Sequence, residues 1–191
     1  MSRIVARLVS DSSEVVLVAD GDGLPAIAHF GARLDATPED IDPAMFARFV
    51  PGGGLDVDVP PSIVPEAARG WFGVPGLAAA RESGPLTPVF TVDSLMADGH
   101  HAHIRAYDDR AGLALDLTLR LSRAGALTID VTVENTGTDI VDVGTLTAAI
   151  PVGGLAREVM TLGGRHAMEF GEERSVWGRS TISVASRRGR T

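Results

Sequence analysis

The stretch Leu113–Asn135, LALDLTLRLSRAGALTIDVTVEN, decides the fold. Leu113, Leu115, Leu117, Leu119 and Leu121 share one parity, and Ala114, Asp116, Thr118 and Arg120 share the other. Successive side chains of a strand point to opposite faces, so this run has one apolar and one polar face. After the turn residues Arg123-Ala124-Gly125 the pattern returns, with Leu127, Ile129, Val131 and Val133 set against Thr128, Asp130, Thr132 and Glu134. Two adjacent half-buried strands joined by a short glycine turn form an antiparallel hairpin. Its apolar face needs a second layer, which predicts a β-sandwich.

The same reading extends in both directions. Before the hairpin come LTPVFTVDSLM (86–96), the turn ADGH and HAHIRAY (101–107); after it come the turn TGTD and IVDVGTLTAAIPV (140–152). The spacing predicts a five-stranded meander over about 86–151. Three further strands are expected in RIVARLV (3–9), EVVLVAD (14–20) and LPAIAHFG (24–31). Between these regions, Thr37-Pro38 followed by Glu39 and Asp40 is a helix-start signature. With Met45, Phe46, Phe49 and Val50 on one face, it predicts a short helix over about 38–49. A long Pro/Gly-rich loop is expected over about 51–85, and such loops within compact domains are often functional. Beyond Pro151 the alternation weakens, with TISVAS (181–186) the clearest strand-like run.

Composition bounds the function. The 191 residues are enough for one substantial core, burying roughly 70% of the unfolded surface. With no cysteine there is no disulfide, thiolate metal site or cysteine nucleophile, and the content fits a reducing cytoplasm. The longest apolar run near the N-terminus, Val15–Val18, is too short for a signal peptide or a membrane span, so the chain reads as soluble and cytoplasmic. The net charge of −8 repels phosphates and argues against nucleic acid or anionic membrane as a partner. All 17 basic residues are arginine, a bias expected of GC-rich coding rather than of a binding function.

Few motifs carry chemistry. His101 and His103 share a strand face and could offer two imidazoles to one ion, but no third ligand stands at a telling spacing. A solvated strand end is the preferred reading. Asp20-Gly21-Asp22-Gly23 lacks the closing glutamate of a calcium loop and reads as a hairpin turn. The glycines of PGGGLD (51–56) and VGGL (152–155) have no phosphate-loop context. No G-x-S-x-G elbow occurs, and nothing singles out one carboxylate pair as glycosidase catalysts. Trp71 and Phe72, flanked by glycines in GWFGVPGL (70–77), are the candidate substrate-binding residues. Aromatics on such loops stack on sugar rings or partner surfaces, although plugging the end of the sandwich is an equal alternative. Trp177 reads as a packing residue. No catalytic residue, metal site or cofactor is assigned.

Four stretches in order then resemble the N-terminal domain of glycoside hydrolase family 36 α-galactosidases. They are LPAIAHFGARL (24–34), LDVDVPPSIVPEAARGWFGVPGL (55–77), VENTGTDIVDVGTLTAAIPV (133–152) and VWGRSTISVASRRGRT (176–191). The resemblance implies an all-β fold, an antiparallel β-supersandwich of the galactose-mutarotase kind over 1–185. It also implies that 186–191, with Arg187, Arg188 and Arg190, opens a linker toward a catalytic barrel absent from this sequence. In the family, two aspartates of that barrel hydrolyse terminal α-galactosides with retention, so no residue here inherits a catalytic role.

By the same resemblance the first domain supports the barrel and lends a loop residue to the rim of the galactose pocket, in some members across a subunit boundary. Trp71 is the matching residue. Many members have Gly-Asp-Phe/Tyr-Arg where this chain has Gly70-Trp71-Phe72-Gly73, so the two charged side chains of that version are missing. The implied partners are the barrel, an α-galactoside at the pocket rim and, as an arrangement the resemblance allows, a homo-oligomer. The alternatives are a stand-alone carbohydrate-binding or mutarotase-like protein of the same fold, with His101 or His103 working with an acid such as Asp116, and an interaction module without sugar contact.

Overall fold

The computed structural model describes residues 2–34, 59–152, 156–165, 168–178 and 181–185. The helix expected over 38–49, PGGGLD (51–56) and the linker over 186–191 lie outside these. The chain forms two compact units, Met1–Pro151 and Val152–Thr191.

The first unit is built from antiparallel sheets, and the all-β expectation is met. One sheet has three strands in chain order, β1 (Ser2–Val9), β2 (Ser13–Asp20) and β3 (Ala26–Ala32). A second has four, β6 (Thr91–Ala97), β7 (His101–Asp108), β8 (Leu113–Leu121) and β9 (Leu127–Asn135), each paired with the next as a meander. The register sets Leu117 against Ile104 on one side and Val131 on the other, as the alternation requires. Their shared core takes Leu8, Val15, Leu17 and Ile27 from the first sheet and Ile104 and the five odd-numbered leucines of β8 from the second. Burying one such leucine contributes about 1.5–3 kcal/mol, so β8 is the strand around which the sandwich closes.

The fifth strand of the expected meander is elsewhere. β10 (Asp142–Leu146) pairs with β4 (Leu77–Arg81), which turns back through β5 (Gly84–Pro85), in a small third sheet. Strands therefore occupy part of the segment read as loop over 51–85. Arg81 gives the physical reason. Its guanidinium donates to the carbonyls of Ala111 at 2.9 Å and Gly112 at 3.3 Å, to Asn135 Oδ1 at 3.0 Å and to the Asp139 carbonyl. The chain leaving β9 is thereby captured beside β4, and β10 follows it there. The alanine-rich run Leu77–Arg81 has low strand propensity, so alternation did not reveal β4.

In the second unit β11 (Glu158–Arg165) and β12 (Met168–Val176) form a hairpin that periodicity missed. Met160 faces Arg174 and Leu162 faces Glu172 across the pair, so apolar and charged residues mix on one face and no clean period remains. Residues 181–185, expected to be strand-like, form none. Among the described residues no helix is long and apolar enough to cross a membrane.

Candidate functional site

Trp71 and Phe72 sit at the tip of a loop, Pro65–Gly76, whose two legs touch at the base. The Gly76 N–H donates to the Pro65 carbonyl at 2.8 Å. A side chain at 76 would meet Pro65 Cδ at 2.7 Å and Val64 Cγ1 at 2.8 Å, so the legs close this tightly only around glycine. The base is stitched to its surroundings by Ile63 N–H to Pro25 O at 2.8 Å, Ala149 N–H to Ile63 O at 2.8 Å and Thr147 N–H to Gly76 O at 2.7 Å.

Above the base stand two charged residues that sequence reasoning did not single out. Glu66 is buried, and its Oε1 accepts the Phe90 N–H at 2.7 Å. Its other oxygen lies 3.2 Å from Arg69 Nε, and Arg69 in turn donates to the Phe90 carbonyl at 2.7 Å. Burial holds the Glu66 carboxyl above the usual carboxylate range, outweighing the Phe90 amide and the Arg69 guanidinium, which pull it down. The signal in sequence was slight: Glu66 and Arg69 stand three apart in VPEAARG (64–70), the spacing of one helical turn. Ala67–Arg69 is indeed a single 3-10 turn, ended by Gly70 at φ 92°, a left-handed conformation that glycine adopts without strain.

Gly70 turns the chain outward into Trp71–Val74. The Trp71 indole folds back over Gly73, where an added Cβ would stand 2.4 Å from ring atom Cζ2, and its Nε1–H donates to the Val74 carbonyl at 3.0 Å. This fixed indole leaves Phe72 89% exposed and Val74 76% exposed. The tip is therefore a preorganised apolar knob on a rigid root, suited to contacting another surface or a flat ligand face. Of the two aromatics predicted from sequence, Trp71 is the braced member and Phe72 the projecting one.

The other candidates stand apart from this tip. His101 and His103 lie on the outward face of β7, each held by a carboxylate: His101 Nδ1 is 3.2 Å from Asp98 Oδ1, and His103 Nε2 is 2.9 Å from Asp116 Oδ2. Among the described residues no three His, Cys, Asp or Glu side chains converge as metal ligands. Gly23 N–H reaches the Asp20 carbonyl at 3.4 Å, and Gly21 has φ 62°, so DGDG is a turn. Trp177, expected to pack, is 50% exposed, and its backbone N–H donates to the Arg157 carbonyl at 2.8 Å.

The family model for the glycosyl hydrolase family 36 N-terminal domain matches residues 23–191, the tip loop included. The chain belongs to this family. The α-galactosidase of Escherichia coli is 30% identical to this glycosyl hydrolase family 36 N-terminal domain over 185 residues, which is 97% of the chain and 26% of that protein. The α-galactosidase AgaB of Geobacillus stearothermophilus superposes with a TM-score of 0.76 at 17% identity, covering 96% of this chain and 28% of that one. The α-galactosidase of Lactobacillus brevis gives 0.71 at 12% identity, covering 91% and 27%. The chain thus spans between a quarter and a third of these relatives' length. At such identities the solved structures speak for the fold alone.

Proposed function

We propose that this domain is the non-catalytic N-terminal part of an enzyme hydrolysing terminal α-galactosides, where it supports a catalytic barrel and presents Trp71 and Phe72 at the rim of the sugar pocket. The observation that carries the reading is the braced tip, with the indole locked by Val74 and Phe72 left 89% exposed. An exposed aromatic on a rigid root matches the flat apolar face of a pyranose at little entropic cost. The barrel stands in the same subunit or in a neighbouring one of a homo-oligomer; a cytoplasmic location fits the absence of cysteine.

The test has two arms. The 191-residue chain alone should not turn over a chromogenic α-galactoside, and clear turnover by the pure chain sinks the proposal. In the barrel-bearing parent, Trp71→Ala should raise KM by about tenfold with kcat largely kept, the signature of lost binding.

A second reading, an independent mutarotase-like protein, has one observation in its favour: His103 and Asp116 put an imidazole and a carboxylate 2.9 Å apart. Both lie on an open sheet face, 40% and 46% exposed, without the shielding an acid–base pair needs. Polarimetry of α-galactose with the wild-type chain and His103→Ala decides it, since only a mutarotase accelerates the change in a His103-dependent way.

A further inference from the structure

In the first unit two edge strands run side by side and are tied at both ends. The Val92 N–H donates to Asp22 O at 2.8 Å near the start of β1 and β6, and the Val9 N–H to Gly99 O at 2.7 Å near their far end. Between the ties both strands carry an irregularity at the same level: the register slips between Ile4 and Ala6 on β1 and between Val92 and Ser94 on β6. There a groove of about 480 Å³ opens, with Arg3, Val5, Asp22, Asp93, Ser94 and Leu95 among its walls.

The bulges decide what the groove suits. An extended segment adding to either edge needs evenly spaced amides and carbonyls, and a bulge interrupts that spacing. A compact ligand needs no such ladder, and the volume lies in the range of small-molecule sites. Among the described residues, the side chains of Arg3, Asp22, Asp93 and Ser94 make no hydrogen bond or ion pair, so their polar atoms are open to a ligand. Two carboxylates disfavour an anion, and among the described residues no third acid or imidazole completes a cation site. Carboxylates accept from vicinal hydroxyls and a guanidinium donates to them, while Val5 and Leu95 offer an apolar wall to C–H groups. A pyranose has both faces.

We infer that this groove binds a neutral saccharide, at a site separate from the Trp71 tip. Because no aromatic ring among the described residues lines it, the affinity is modest, on the order of 1 mM. Titration of the 191-residue chain with methyl α-galactoside and methyl α-glucoside, followed by calorimetry and ligand-observed NMR, tests it. Saturable binding of at least one glycoside is expected. Asp22→Asn with Asp93→Asn should weaken it at least about tenfold, and Trp71→Ala should leave it unchanged. Ser94→Trp, which fills the groove and keeps its charges, should give the same loss; a thermal melt of each variant establishes folding. No saturable binding to either glycoside, binding that survives these groove changes in folded protein, or binding removed by Trp71→Ala overturns the inference.

Discussion

Glu66 and Asp108 grip successive amides of the segment that leads into β6. Glu66 Oε1 accepts the Phe90 N–H and Asp108 Oδ2 the Val89 N–H, each at 2.7 Å. Asp108 also caps the turn after β7 by accepting the Arg110 and Ala111 amides at 2.9 and 3.0 Å. Two carboxylates from distant parts of the chain therefore fix the lead-in to β6 and, through Phe90, seat the root of the Trp71 tip in the core.

Removing the Glu66 carboxyl leaves a buried amide without its acceptor, so Glu66→Ala should cost about 1–3 kcal/mol in urea unfolding. Its pH signature is unusual for an acid. The folded carboxyl is held above its unfolded value by burial, so its contribution is full below the unfolded value near 4.5 and is lost as pH rises through the folded one. Glu66→Gln keeps an acceptor for Phe90 and should flatten that part of the stability–pH curve. An unchanged curve would rule out the assignment.

Glu14 behaves in the opposite sense. It is buried on β2, and although burial resists its charge, the Arg7 guanidinium and the Leu34 N–H at 3.0 Å hold its carboxyl below the usual 4.5. Its stabilisation is present above 4.5 and disappears as pH falls through the lowered value. Glu14→Gln should destabilise by about 3 kcal/mol at neutral pH and by less in acid, as chemical denaturation at two pH values will show. Arg7 also donates to the Leu34 carbonyl at 3.1 Å, so amide exchange at Leu34 should accelerate in the same variant.

Gly73→Ala tests the braced indole. The new methyl would stand 2.4 Å from Trp71 Cζ2, so the ring must leave and the bond to Val74 break. In a Trp177→Phe background, Trp71 emission should shift to the red and quench more readily with acrylamide. Global stability should change by no more than about 1 kcal/mol, because the tip lies outside the core.

Arg81→Ala should release the chain between β9 and β10. Three carbonyls and Asn135 lose their donor together. Hydrogen exchange over 136–146 should rise well before the rest of the unit, whereas exchange in β7 and β8 should follow global unfolding. Arg81→Lys, which cannot span those acceptors, should resemble alanine more than wild type.

Much of this was legible in one dimension. The leucines at odd positions of β8 and the matching face of β9 announced a half-buried hairpin, because side-chain direction in a strand follows residue parity alone. Trp71 and Phe72 stood out as aromatics among glycines. Glu66 and Arg69 did not: one glutamate and one arginine in an alanine-rich stretch look like surface residues until Phe90, 24 positions from Glu66, is brought against them. The same holds for the groove, whose Arg3, Asp22 and Asp93 come from three separate stretches of chain.

The amino-acid sequence by itself determined the strand class, the apolar and polar faces of β8 and β9 and the aromatic pair Trp71-Phe72, since each rests on periodicity or residue type within a short window. Only the tertiary structure decided that β10 leaves the meander for β4, that Glu66 is a buried root rather than a surface charge, and that two bulged edges enclose a groove. Each of these depends on groups far apart in the chain meeting at hydrogen-bond distance, and that is set by how the sheets close on a common core.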